Sequence, residues 1–527
     1  MLRCSQIALV FFVKNIDKQL NSKKNLHFQE KSKKYIFQKP ASCQTITLSQ
    51  VYFAVVFCSE ITMSTQGIIT ILADCIQQAV KPEAFPAPLK SRLVPRNRAT
   101  AKQLVRSTIL EDNDGVRRVF AFPAHCLLDM KQYEGQRAIS PDAKQALLKR
   151  KKIRSVPALP DILDYDLVVD ERCFDNDFLY TESGDPQWLL EFSKEEFSEL
   201  IEQDSVSRAQ FSIPLVSIRP NMTAVDQDEL EIRSAIETIT SRRIRTRLSE
   251  NIEIPPLPLS AHSIIELRNK EHPDSDELAH IVESDPSLAS QVISWANSPY
   301  YGLPGQIRSI EDAVIRVLGF DLTMNLSLGL SLGKNLKMPS DGVFGYNTYW
   351  REAVLKALLM EKLVKKIPAD KRPFAGLCYL SGLVHNFGYL VIAEVFPPYF
   401  SLYCRYQEAN PHVPALYIER FLFGITREQI ASFLFHSWGI PEEVCSAVRH
   451  LHNASYEGLH HNYANLLFMV NQLVQSDGEL RVGKLPEPLL ERLGLDRATI
   501  QEAVENISDF NEELGSLAIM LEKASKG

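Results

Sequence analysis

The chain has 527 residues, 45% of them hydrophobic and 23% charged, which is a globular composition long enough for two to four domains with cores of their own. Lysine and arginine number 58 against 65 aspartates and glutamates, a net charge of -7, and this excludes a chain-wide electrostatic footprint for nucleic acid or an anionic membrane. Nine cysteines without a CxxC pair read as reduced thiols, and no apolar run approaches a membrane span of roughly 18 residues, so a cytoplasmic protein is expected.

Residues 1–62 stand apart in composition. They hold no glycine, one proline (Pro40), and nine basic against three acidic residues. The apolar runs 7–13 and 51–57 are at the short limit for a signal-peptide core. Three readings are open: translation upstream of a true start at Met63, an extension or targeting segment, and a folded piece. The first is favoured, and no stable fold is expected over 1–62.

From 63 to 205 the pattern is mixed. Apolar spacing predicts a helix over 68–79. The turn Asp112-Asn-Asp-Gly115 between apolar runs predicts a hairpin of 107–110 with 116–122. Strands are expected at 165–169, 178–180 and 187–192, and a short helix over 194–202 after Ser193. Short strands with a few helices imply an α+β domain. The charged, aromatic-poor stretch 206–253 reads as a linker that includes an amphipathic helix, and Ile254–Leu259 (IPPLPL) as an extended entry to the next domain.

Beyond 254 the signal is helical. Asp285 and Pro286 form an N-cap and N1 pair, with Leu288, Val292 and Trp295 on one face. Ser309 and Asp312 resemble a capping box that leads to a stop at Gly319. Trp350, Val354 and Leu358 mark another buried face, and helices are expected over 418–423, 430–438, 442–450, 463–474 and 496–523. The last carries a seven-residue apolar repeat: Ile500, Ile507, Leu514 and Leu521, beside Ala503, Phe510 and Leu517. Three heptads are marginal for a free coiled coil, so this face is expected to dock on the chain's own helical domain.

The segments Asp285–Gly302, Ile307–Gly319, Gly382-Leu-Val-His385-Asn386-Phe-Gly388, Phe423-Gly424 and Ser437–Pro441 closely resemble the HDOD (HD-related output domain) family over 254–455, with residues 456–527 as a helical extension. The resemblance implies an all-α signalling module related to the HD metal-dependent phosphohydrolases and the HD-GYP cyclic di-GMP phosphodiesterases. Those enzymes need histidines and paired aspartates around one or two metal ions that activate a water. In this chain the early histidine position falls at Glu352, the His-Asp pair at His385-Asn386, a later histidine at Arg427, and the distal aspartate at Asn471. Lost carboxylates and a gained guanidinium argue against a catalytic metal. His385, His450 and His452 are the residual ligand candidates, and no cofactor is expected.

The segments Val119–Asp129, Pro157–Pro160, Leu167–Glu171 and Trp188–Phe192 resemble, more weakly, the YbaK/prolyl-tRNA deacylase family over 65–205. The resemblance implies a mixed sheet and a site made by a strand lysine and a Gly-x-x-Pro loop. Here Arg106 stands at the lysine position, and Arg154-Ser-Val-Pro157 replaces the loop, with arginine for glycine. Guanidinium is not equivalent to ammonium in geometry, and a side chain hinders close backbone approach. An active deacylase would need a substitute lysine such as Lys102. The basic run Lys149–Lys152 with Arg154 reads as a solvated helix end rather than a tRNA contact.

The leading expectation is a non-catalytic regulatory protein acting through a signalling partner, with a small ligand or tRNA as further partner classes and no membrane span. The alternatives are an aminoacyl-tRNA editing hydrolase regulated by the HDOD part, and an HD-type metal phosphohydrolase.

Overall fold

The structure is a computed structural model that describes residues 92–160, 162–245, 256–302, 305–333, 336, 346–474, 480–483, 485–510, 515 and 519. The expectations for 1–62 and for a helix over 68–79 lie outside these residues, as do Leu514, Leu517 and Leu521.

The alternating apolar runs become ten strands: β1 (Arg92–Pro95), β2 (Leu104–Glu111), β3 (Arg117–Pro123), β4 (Cys126–Leu128), β5 (Arg137–Ala138), β6 (Asp166–Asp170), β7 (Phe178–Glu182), β8 (Trp188–Ser193), β9 (Val206–Ala209) and β10 (Ser212–Pro214). The main sheet runs β1-β8-β7-β2-β3-β6-β9, with β5 also on β2, while β4 and β10 form a separate ladder. β2 with β7, β3 with β6 and β6 with β9 are parallel, and the other pairs are antiparallel. The expected hairpin is β2–β3. Asp112 Oδ1 accepts from the Asp114 and Val116 N–H groups at 3.1 and 2.9 Å, and Gly115 takes φ +79°. Ser193 caps the helix Lys194–Leu200 in a reciprocal box with Glu196.

The helix Pro141–Lys151 ends in the basic run, with Lys152 left-handed at φ 56° and Lys151 Nζ 2.6 Å from Asp164. Cations there complement the helix dipole. The expected domain end at 205 moves outward. Val206–Ala209 pairs with β6, and the buried Asp170 carboxylate accepts from the Phe211 and Ser212 N–H groups at 2.8 and 2.6 Å. Residues 206–214 are therefore part of the sheet region, not linker. The rest of that stretch holds the helix Asp228–Arg245. The start of this helix is fastened to the helical domain: Arg449 donates to Asp228 at 2.9 Å, Gln429 to Asp228 at 2.7 Å and Arg420 to Glu231 at 2.9 Å.

The helical domain begins with Leu259–Arg268, Ser275–Glu283 and Pro286–Ala296. Asp285 caps the third helix, accepting from the Leu288 N–H at 3.2 Å, and Trp295 is fully buried. Ser309 caps Ile310–Ala313, which runs through a π-turn to Gly319 at φ 75°. Ala375–Val395 is long and apolar enough to cross a membrane, but 94% of its most apolar window is buried. It is broken into Ala375–Val384 and Phe387–Val395 at the pair His385-Asn386, and forms the centre of the core. In the helix Arg497–Ser508, Ile500, Ala503, Val504 and Ile507 are buried, and Phe510 meets Tyr300 edge to face at 5.5 Å. The described part of the apolar repeat thus docks on its own domain.

Strand alternation explains how the two regions join. Val119 and Ala121 of β3 pack with Leu147 and Phe197 on one face of the sheet. Phe120 and Phe122 point the other way and enter the core of the helical domain. Asn410 sits at the seam, accepting from the Leu128 N–H at 2.7 Å and donating to its C=O at 3.2 Å. Arg405 donates to the Gln136 and Tyr133 carbonyls at 2.7 and 3.0 Å.

Candidate functional site

Two glycines assemble the centre of the helical domain. A Cβ on Gly382 would lie 2.6 Å from the Ala357 Cα, and one on Gly388 would collide with the Arg427 backbone. Their bare faces let the broken helix touch Tyr346–Val364 on one side and Arg427–Ser437 on the other. His385 is thereby set against the first helix and Asn386 against the second.

At the first contact stands Lys356, a residue that motif reading passed over. Its Nζ lies 2.9 Å from His385 Nε2, 2.8 Å from Asn471 Oδ1 and 3.3 Å from Glu352 Oε2. Lys356 is 4% exposed. An ammonium only donates, so His385 Nε2 must accept, and the ring proton sits on Nδ1, 2.7 Å from the Gly382 carbonyl. Burial, reinforced by the neighbouring ammonium, holds the His385 pKa well below the ordinary value and keeps the ring neutral. Burial also pulls the Lys356 pKa down, against the opposing pull of Glu352.

Arg427 forms the second contact. Its Nε donates to Glu419 Oε1 at 2.5 Å, its Nη1 to Asn386 Oδ1 at 2.6 Å and its Nη2 to the Tyr403 hydroxyl at 2.5 Å. The Arg427 N–H reaches the other Glu419 oxygen at 2.9 Å, and Tyr403 donates to Glu419 at 2.6 Å. Burial works against the charged form, but Glu419 outweighs it, and the Arg427 pKa is raised.

The five positions aligned with metal-ligand sites are thus brought together: Glu352, His385 and Asn471 around an ammonium, Asn386 beside a guanidinium. The other two residual candidates go elsewhere. His450 stacks on Tyr456 with ring centroids 3.7 Å apart, and burial lowers its pKa to about 4. His452 Nε2 lies 3.1 Å from Glu428. Among the described residues no group of three or more His, Cys, Asp or Glu side chains is placed to hold a metal ion. A divalent ion between Glu352, His385 and Asn471 would have to displace the buried Lys356 cation, so this residue set does not fit a metal. Lys356 carried a readable signal: a lone cation between Ala353-Val-Leu355 and Ala357-Leu-Leu-Met360, four residues after Glu352.

In the sheet domain, Arg106 on β2 donates from Nη1 to Glu182 Oε1 at 3.0 Å, and Glu182 is shared with Arg96. Ser107 Oγ bonds the Val156 carbonyl, which holds the loop Arg154–Pro157 beside β2. Arg154 is exposed and Pro157 buried. Arg106, Ser107, Lys144, Arg154 and Glu182 line a cavity beside β2; Lys102 is exposed and does not line it.

The HDOD domain model matches residues 254–454. A solved protein of Marinobacter aquaeolei VT8, whose name assigns it provisionally to signal transduction, is 34% identical, covers 85% of this chain and 98% of its own, and superposes with a TM-score of 0.74. The chain belongs to the HDOD family. An uncharacterized Treponema pallidum (strain Nichols) protein is 24% identical over 262 residues, and the match spans about half (49%) of that relative's length. The solved structure of a protein named provisionally as a trans-editing enzyme for prolyl-tRNA synthetase covers 23% of this chain at 16% identity with a TM-score of 0.20, too slight a likeness to carry fold or function. The all-α HDOD domain therefore follows a mixed-sheet domain in this chain, and Lys356 and Arg427 lie in its centre.

Proposed function

We propose that this HDOD protein is a non-catalytic cytoplasmic regulator that acts by binding a protein partner of a signalling pathway, with a deacylase-like sheet domain fused to a degenerate HD centre. The observation that carries the reading is the Lys356 ammonium, held by Glu352, His385 and Asn471. Ligands that enclose a fixed internal cation are spent as metal ligands, because two positive charges cannot share one low-dielectric pocket. What remains is a rigid helical module. The name of the Marinobacter relative supports a role in signal transduction.

The sheet domain fits the same reading. Arg106 is committed to Glu182, and the helical domain's Ala409, Pro411 and His412 help line the cavity beside it. Hydrolysis of mischarged alanyl-, cysteinyl- and seryl-tRNA should stay at background. Turnover above background that disappears in Arg106→Ala would replace this reading with that of an editing hydrolase. Affinity capture from the native host should return a partner that is retained by Arg106→Ala.

A further inference from the structure

The cavity at the seam of the two domains has a volume of ≈ 180 Å³ and is lined by Arg106, Lys144, Arg154, Ser155 and Glu182 from the sheet domain and by His412 from the helical domain. At about 30 Å³ per water molecule that is room for roughly six waters, enough for a phosphoryl group with a short stem.

Its walls carry three cations against one carboxylate, and Glu182 is already shared between Arg96 and Arg106. Positive charge is left over. Three donors at the walls are also unused. Arg106 Nε and Ser155 Oγ are buried without a hydrogen-bond partner, and the Lys144 ammonium, half-buried, makes no side-chain hydrogen bond or ion pair among the described residues. Burial, with the Arg106 charge beside it, lowers the Lys144 pKa, so the ammonium is held there at a cost. Unsatisfied buried donors are unfavourable unless something accepts from them.

We propose that this cavity binds a small phosphorylated dianion, inorganic phosphate or a short phosphomonoester, and that its occupancy strengthens the docking of the helical domain on the sheet. Charge near -2 matches the excess of the walls. A carboxylate, which favours the paired fork of an arginine, carries half the charge of the dianion and leaves the excess of the walls unmatched. Separate point donors from a lysine, an arginine Nε and a serine suit a tetrahedral oxyanion. The coupling follows from His412. Its Nε2 lies 3.1 Å from the Cys126 carbonyl and its ring 5.5 Å from Phe122, so a residue that lines the cavity is also part of the seam. This site is independent of the Lys356 centre and of any partner the HDOD domain binds.

The test is thermal unfolding of the full chain in sodium phosphate, sodium acetate and sodium chloride at equal ionic strength, with calorimetric titration of phosphate. Phosphate should raise the midpoint saturably, acetate and chloride should not, and hydrogen exchange at 409–413 should slow. Lys144→Met removes an unpaired, partly buried charge. It should raise the midpoint without phosphate and abolish the response to it, whereas a merely structural lysine would lower the midpoint. Arg154→Ala, at an exposed position, should fold normally and weaken phosphate binding about tenfold. No phosphate-specific shift, an equal response to acetate, or a full response in Lys144→Met would overturn the proposal.

Discussion

Lys356 and Glu352 are each less than 10% exposed and face one another in the core. Removing one partner leaves a buried charge, which typically costs about 3–5 kcal/mol, whereas replacing both by apolar groups is often neutral. Lys356→Met should therefore destabilise strongly, and Lys356→Met with Glu352→Leu should recover most of the loss; denaturant titration of both variants checks this. His385 gives a pH signature. Its folded pKa is depressed from 6.5, so below that pH the unfolded chain binds a proton that the folded chain refuses. Stability contributed by the neutral ring is present above 6.5 and is lost as pH falls toward the depressed value. Unfolding midpoints at pH 7.5 and 5.0 should separate more in wild type than in His385→Gln. The positions Glu352, His385, Asn386, Arg427 and Asn471 were legible in the sequence because they lie in or align with motifs. Lys356 lies outside those motifs, because a residue that fills a metal's place has no counterpart among metal ligands; its signal is the lone cation in an apolar run four residues after Glu352.

Elements were read well where local chemistry decides them. The Asp112–Gly115 turn, the Ser193 box and the Asp285 cap each satisfy backbone groups within a few residues. Strand β9 was missed because Val206-Ser-Arg-Ala209 is polar and partly exposed, so its strand state comes from pairing with β6 rather than from alternation. The seam at Asn410 is likewise invisible locally, since its partners on Leu128 are 282 residues away. Asn410→Ala would strand the buried Leu128 N–H and C=O, and a loss of about 1–3 kcal/mol is expected. Hydrogen exchange should locate that loss at β4 and at the helix Pro397–Ala409. An unchanged midpoint with unchanged exchange would mean that the seam does not hold the domains.

For the whole molecule, the decisive feature is that the sheet is covered on both faces, one of them by the helical domain through Phe120, Phe122 and Phe211. A continuous apolar run such as Val119-Phe-Ala-Phe122 suits a strand buried on both faces, but nothing local in it tells that the second cover is another domain. The C-terminal helix adds Ile500, Ala503, Val504 and Ile507 to the same core. Deleting 496–527 should lower the melting temperature without changing oligomeric state; conversion of a dimer to a well-folded monomer would show that this face mediates association instead. The most direct test of the account is metal content. Purified protein loaded with manganese or iron, desalted and analysed by mass spectrometry should hold well under one equivalent per chain and leave cyclic di-GMP intact. One or more equivalents per chain, with phosphodiester cleavage that is lost in His385→Ala, would contradict it.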